Sequence, residues 1–299
     1  METIIIKSLD QHKINLYLWR CKNPRGIIHI FHGMREYALR YKELVNFLLS
    51  NNYSVAIHDH RGHGKSMIDE KTGFFAKKDG WDKLVYDIKI LNEYLVKKFP
   101  DLDIFFLGHS MGSFVLRDAI HSLKDDIKVK GAIISGTGNP RKILVDFGAL
   151  ITKLLLKFNE PNQPTKLLEN ISFLGYDKPF KDKVVKSWLT RDIQKLNEFK
   201  KYEFAFKKMP LIFYKDLYHG IHRIIRDGFF NVKIPLLIIS GSEDPVGNYS
   251  KDVAKVVEKY SKNTDVEHHF YKDMRHEVLN EINRQEVYND IINWLNRKR

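Results

Sequence analysis

The pentapeptide Gly108-His109-Ser110-Met111-Gly112 encloses one serine between two glycines. A serine hydroxyl attacks a carbonyl only when a neighbouring base takes its proton, and the base whose ordinary pKa suits that task is histidine. The histidine in turn needs an acid to fix its tautomer and to stabilise the imidazolium. A nucleophilic serine in G-x-S-x-G is followed along the chain by its acid and then by its histidine. Two later stretches supply them in that order: "PLLIISGSEDPVG" carries Asp244, and "VEHHFYKDMRHEVLNE" carries His276. Glu243 is the rival acid, but an aspartate before Pro245 suits the turn better. His268 and His269 fall inside an apolar-alternating run, which makes them packing or surface residues. Glu277 reads as an ion-pair partner. The oxyanion of an acyl-transfer intermediate needs two backbone donors. One is the amide after the nucleophile, Met111; the other comes from the turn His32-Gly33-Met34, at Met34. The stretch "HDHRGHGKS", His58 to Ser66, tempts a metal reading, but its spacing matches neither HExxH nor a Cys-paired site. No metal and no cofactor are expected.

These residues need elements to hold them. Ile104–Leu107 reads as a buried strand running into Ser110, and Phe114, Val115, Ala119 and Ile120 give the apolar stripe of a helix after it. Gly108 and Gly112 allow backbones to pass where a Cβ would clash. Strands are predicted over Thr3–Lys7, Asn15–Trp19, Gly26–Phe31, Ser54–His58, Gly131–Ser135, Pro235–Ser240 and Val266–Tyr271. Helices are predicted over Arg40–Leu49, Trp81–Lys98, Ser110–Ser122, Tyr249–Tyr260 and Arg284–Arg297. The first two strands can form a hairpin. The later alternation of strand and helix argues for a mostly parallel sheet covered on both faces. The rhythm stops between Thr137 and Asn231, where helical stretches such as Ile143–Leu156 and Lys195–Lys208 are punctuated by prolines. An insertion between sheet strands sits at the carboxyl edge, where ligands bind. The expected organisation is a core of 1–136 and 232–299 with a helical cap of 137–231.

With 43% hydrophobic residues the chain can bury a sizeable core. No apolar run reaches the ~18 residues of a membrane helix. The start "METIIIKSLDQ" lacks the basic and apolar regions of a signal peptide, so a cytoplasmic location is expected. One cysteine, Cys21, excludes an intrachain disulfide and reads as a packed thiol. Fifty Lys and Arg against 37 Asp and Glu give a net charge of +13, but the lysines are scattered and no nucleic-acid-binding pattern is present. The expected partners are a small-molecule ester and, weakly, an anionic membrane surface, with no nucleic acid.

The blocks "FHGMREYALRY", "DHRGHGKS", "GHSMG", "GSEDPVG" and "RHEVLNE" resemble, in order, the signature blocks of the monoacylglycerol lipase and lysophospholipase branch of the α/β-hydrolases, a group labelled serine aminopeptidase-like. The segments "GYDKPFKDKVVKSWLTRD" and "FYKDLYHGI" resemble the cap of bacterial lysophospholipase-like members. The resemblance implies an α/β-hydrolase fold with an eight-stranded sheet. It also implies Ser110 as nucleophile, Asp244 as acid, His276 as base, and Met34 and Met111 as oxyanion donors. One position departs from the pattern: Tyr37 stands where the family has histidine. The implied function is a serine esterase acting on single-chain lipid esters, monoacylglycerol or lysophospholipid. A short-chain carboxylesterase and a catalytically silent binding protein on the same fold are the alternatives. The aminopeptidase label lacks an assignable acidic set for a substrate amine.

Overall fold

The structure is a computed structural model that describes residues 1–180, 186–226 and 228–299. Eight strands form one sheet: β1 Glu2–Lys7, β2 Lys13–Trp19, β3 Ile27–Phe31, β4 Ser54–His58, β5 Ile104–His109, β6 Gly131–Ser135, β7 Leu236–Gly241 and β8 Val266–Tyr271. Their spatial order is β1-β2-β4-β3-β5-β6-β7-β8. The β1–β2 hairpin is antiparallel, β2 joins β4 antiparallel, and β4 to β8 run parallel. The central strands are apolar and buried along their whole length, as strands covered on both faces must be.

Alternate residues of the central strands feed two cores. Ile104 and Phe106 join Trp81, Leu84 and Val115 on one face, with helices α2 (Gly80–Lys98), α3 (Met111–Ser122) and α8 (Lys251–Ser261). Phe105 and Leu107 join Leu44, Leu48, Ile291 and Trp294 on the other, with α1 (Lys42–Ser50) and α9 (Arg284–Lys298). From β3 the chain steps to β4 on one side, then returns across β3 to β5 on the other. The reversal opens a crevice at the carboxyl ends of β3 and β5, the place where open α/β sheets bind ligands.

Between β6 and β7 no sheet strand intervenes among the described residues. The helices there are α4 (Lys142–Leu155), α5 (Lys166–Ser172), α6 (Ile193–Lys200) and α7 (Leu211–Ile224). Three expectations are corrected here. The helix expected over Arg40–Leu49 begins as a 3-10 turn, Ala38–Tyr41, before α1. The one expected over Lys195–Lys208 ends at Lys200 and gives way to turns. Ser110 is not helical but precedes α3, with φ +53. The periodicity also missed α5 and α7. In α7 a Cβ on Gly220 would stand 2.0 Å from the Trp81 ring, so the glycine lets α7 pack against α2. Residues 181–185 of the block "GYDKPFKDKVVKSWLTRD" lie outside the described residues. No helix among the described residues is long and apolar enough to cross a membrane.

Candidate active site

β5 delivers Ser110 to the sheet's carboxyl edge, and the turn into α3 forces its backbone to φ +53, ψ −122, a region costly for any residue with a Cβ. The turn is possible because its flanks are bare. A Cβ on Gly112 would stand 2.1 Å from the Phe31 carbonyl oxygen, and one on Gly108 would stand 2.5 Å from the Gly112 carbonyl oxygen. β7 ends just before Asp244, and the loop after β8 carries His276.

These three side chains, 166 and 32 residues apart in sequence, meet in one hydrogen-bonded chain. His276 Nε2 lies 2.8 Å from Ser110 Oγ, and Nδ1 lies 3.0 Å from each oxygen of Asp244. Asp244 is wholly buried and also accepts from the Val246 amide at 2.8 Å. Because an ionised carboxylate only accepts, the proton on this edge of the ring sits on Nδ1, which leaves Nε2 free to take one from Ser110. Burial disfavours the His276 imidazolium. The Asp244 charge and hydrogen bond, helped by Glu277 and Glu36, outweigh it and raise the pKa above the ordinary histidine value. Glu243 is partly exposed, with its carboxylate 3.9 Å from Arg275 Nε. His268 and His269 lie on the edge strand β8; His269 pairs with Glu267 at 3.1 Å.

The turn after β3 abuts the serine: a Cβ built on Gly33 would stand 3.2 Å from Ser110 Cβ. Among the described residues, neither the Met34 nor the Met111 backbone N–H has an acceptor within the chain. Gly33 N–H donates to Glu36 Oε2 at 2.6 Å, which fixes the turn.

Glu36 leads to residues that spacing alone did not reveal. It accepts from Tyr41 Oη at 2.7 Å and from Arg40 Nη1. Arg40 then makes a two-pronged pair with Glu277, at 2.9 and 2.7 Å. One buried guanidinium thus ties the turn beside Ser110 to the residue after His276. Burial works against the Glu36 carboxylate, but Arg40, His109 and Tyr41 overcome it and hold the pKa down at about 2. The His109 pKa is also lowered, by burial and then by the His276 charge, to about 4. Polar groups of Glu36, His109 and Glu277 lie within 4.8 Å of one another, a geometry open to a metal ion. Arg40 already supplies the positive charge between the two carboxylates.

The histidine-rich loop is internal scaffolding. His29, His58 and His60 form a chain of 2.9 Å ring contacts, and His60 N–H donates to His32 Nε2 at 3.0 Å. Asp59 accepts from the Ala38 and Lys65 amides, at 2.8 and 2.9 Å, and so braces the turn above it. Burial pushes His29 and His63 down to about 3, and His58 and His60 also fall well below the ordinary histidine value. Tyr37, at the departure from the family pattern, packs on Tyr202 with ring centroids 4.1 Å apart. Cys21 is partly buried, its sulfur 3.6 Å from Ser54 Oγ.

The segment between β6 and β7 reaches the same place. His276 N–H donates to the Trp188 carbonyl at 3.3 Å and Glu277 N–H to the Leu189 carbonyl at 2.7 Å. The Trp188 ring lies 5.0 Å from the His276 ring.

A mostly parallel eight-stranded sheet, with a strained serine at the β5 tip and histidine and aspartate on later strand ends, defines an α/β-hydrolase. The model of the serine aminopeptidase, S33, family matches residues 22–283, and the chain belongs to that family. Mouse monoglyceride lipase is 35% identical over 92 residues, which cover 31% of this chain and 29% of the lipase. The chain thus spans less than a third of that relative's length in the match. Phospholipase YtpA of Bacillus subtilis is 23% identical over 282 residues, 91% of this chain and 96% of that protein. Among solved structures, a thermostable carboxyl esterase from Bacillus coagulans superposes with a TM-score of 0.90 at 23% identity, covering 99% of this chain and 97% of the esterase. At that identity the likeness speaks for the fold alone.

Proposed function

We propose that this protein is a serine esterase that cleaves single-chain lipid esters through an acyl-enzyme. The observation that carries the reading is the Asp244–His276–Ser110 hydrogen-bonded chain at the switch point of the sheet. In this mechanism His276 Nε2 takes the proton of Ser110 as Oγ attacks the ester carbonyl. The developing oxyanion accepts from the Met34 and Met111 amides, a contribution of ~2.7–4 kcal/mol for each such donor. His276 then returns the proton to the leaving alcohol. Water, deprotonated by the same nitrogen, releases the acid and restores Ser110.

For the substrate class, residues 137–231 are read as a cap over Ser110. The α4 helix supports a lipid: Ile143, Leu144, Phe147, Leu150 and Leu154 share its outer face, with Ile143 73% and Phe147 54% exposed. Such an exposed apolar patch on a helix of the segment read as a cap suits an apolar lipid partner. The names of the relatives, a monoglyceride lipase and a phospholipase, agree with that chemistry.

The test is hydrolysis of an ester series from acetyl to long-chain, with monooleoylglycerol and lysophosphatidylcholine, beside labelling by a fluorophosphonate. The expected result is Ser110-dependent labelling and a kcat/KM that climbs with chain length, each buried CH₂ adding up to ~0.8 kcal/mol. A steep preference for acetyl esters would replace the lipid reading with a short-chain carboxylesterase. No labelling of a folded protein would leave a silent binding protein.

A further inference from the structure

Arg35 follows Met34 in the turn that abuts Ser110, and its backbone sits at φ +63, where glycine is comfortable and arginine is strained. The side chain is only 3% exposed. Nη1 donates to Glu169 Oε1 of α5 at 2.8 Å, while Nε and Nη2 are buried without a partner among the described residues. Leaving charged donors unpaired away from water is costly, and native proteins seldom do so without a use. Nearby, Tyr214 of α7 is fully buried and its hydroxyl also lacks a partner. Lys186 adds a second cation: its Nζ donates to the Ala205 carbonyl at 3.2 Å and rests 4.7 Å from the Phe206 ring centroid. Burial, and then the charge of Arg35, push the Lys186 pKa down to about 8.

The surrounding carboxylates are committed elsewhere or are too few. Asp177 accepts from the Lys186 and Trp188 amides and the Ser187 hydroxyl. Glu277 is held by Arg40. Glu169 takes one Arg35 donor, while Asp177 and Glu277 act on Lys186 by charge only. Among the described residues, the group therefore has an excess of donors: Arg35 Nε and Nη2 and the Tyr214 hydroxyl. Two of its members also neighbour the site along the chain. Arg35 adjoins the Met34 amide, and Lys186 lies two residues before Trp188, whose ring packs on His276.

We infer that Arg35, with Lys186 and Tyr214, forms a subsite for the anionic oxygens of a phosphate ester carried on the alcohol portion of the substrate. The inference rests on the esterase reading above. The alcohol side follows from polarity: an acyl chain avoids unpaired charge, whereas a guanidinium fork matches phosphate oxygens.

The experiment compares kcat/KM for oleoyl lysophosphatidylglycerol and for monooleoylglycerol in the same neutral detergent micelles. It uses the native protein, Arg35→Gln, Arg35→Gly and Glu169→Gln. The glycine variant suits the left-handed backbone, so it keeps the test open if Arg35→Gln fails to fold. The native ratio is expected to favour the phosphate ester by about tenfold or more, the equivalent of ~1.4 kcal/mol. Both Arg35 variants should bring the ratio close to one through KM, and Glu169→Gln should preserve or raise it. A native ratio near one overturns the inference while leaving the esterase intact. A preference that survives in both Arg35 variants also overturns it, and assigns the effect to the basic surface. Arg35-dependent inhibition by inorganic phosphate with a ratio near one would make this a free-anion site, and so overturn the head-group assignment. If no ester is cleaved at all, equilibrium binding of oleoyl lysophosphatidylglycerol to Ser110→Ala decides separately. Binding lost with Arg35→Gly upholds the subsite though the esterase reading has failed, and binding unchanged by it overturns both.

Discussion

At the scale of single residues, the roles proposed for the hydrogen-bonded chain are separable. Asp244→Asn keeps the shape of the carboxyl group but offers His276 the wrong tautomer, so kcat should fall on the order of 10⁴. Glu243→Gln should change little, because that carboxylate lies beside Arg275 and not His276. Steady-state kinetics of the two variants on one ester checks the assignment; the reverse pattern would make Glu243 the acid. The pH profile has a definite sign. His276 must be neutral to accept a proton, and its pKa is raised above the ordinary value by Asp244 against the opposing effect of burial. Activity should therefore be lost on acidification, with the limb of kcat/KM centred above pH ~6.5, the unperturbed histidine value. A limb centred well below that would contradict the pairing. The three chemical side chains were legible because each closes an apolar run. Arg40 was not, because its importance comes from two carboxylates, Glu36 and Glu277, that only folding brings together.

Elements act as units at the next scale. Arg40, at the end of the 3-10 turn before α1, is the link between the Met34 turn and the His276 loop. Arg40→Met should leave two buried carboxylates facing each other and cost roughly 3–5 kcal/mol. In whatever fraction stays folded, kcat should fall more than KM rises; denaturant unfolding and kinetics together measure this. A second element-level test concerns α7 against α2. Asp216 of α7 is 4% exposed, its Oδ2 has no partner among the described residues, and burial raises its pKa to about 7. In the unfolded chain the same group titrates near ~3.9. The folded state therefore holds the extra proton between those values, and stability declines as pH rises from about 4 to about 7. Asp216→Asn should flatten that decline and raise the melting temperature at pH 8, since a buried unpaired group costs about 1–3 kcal/mol. Thermal melts at pH 5 and pH 8 are the check; equal gains at both would place the effect elsewhere. The strands were read to within a residue or two because buried β-runs are short and continuous. The helix α5 was missed because seven residues carry little periodicity of their own.

For the molecule as a whole, charge and surface make the prediction. The net charge of +13 comes from scattered lysines, so the attraction it produces is diffuse. Binding to vesicles rich in anionic lipid should exceed binding to neutral vesicles at low salt. It should fade near physiological ionic strength, where exposed charges are screened beyond ~8 Å. Co-sedimentation across a salt series measures it, and equal binding to both vesicle types would leave the lysines with no such role.

The sequence by itself determined the fold class and the order of the strands along the chain, and it singled out the serine, aspartate and histidine that the fold brings into one hydrogen-bonded chain. Each of these is a local event: an apolar run of the right length, then a turn of the right residues. The tertiary structure decided what lies across space. It placed the β3 and β5 ends side by side, set Arg40 between Glu36 and Glu277, and buried Arg35 against α5 with two donors unpaired. Those outcomes depend on the desolvation and pairing of groups far apart in the chain, which residue spacing does not encode.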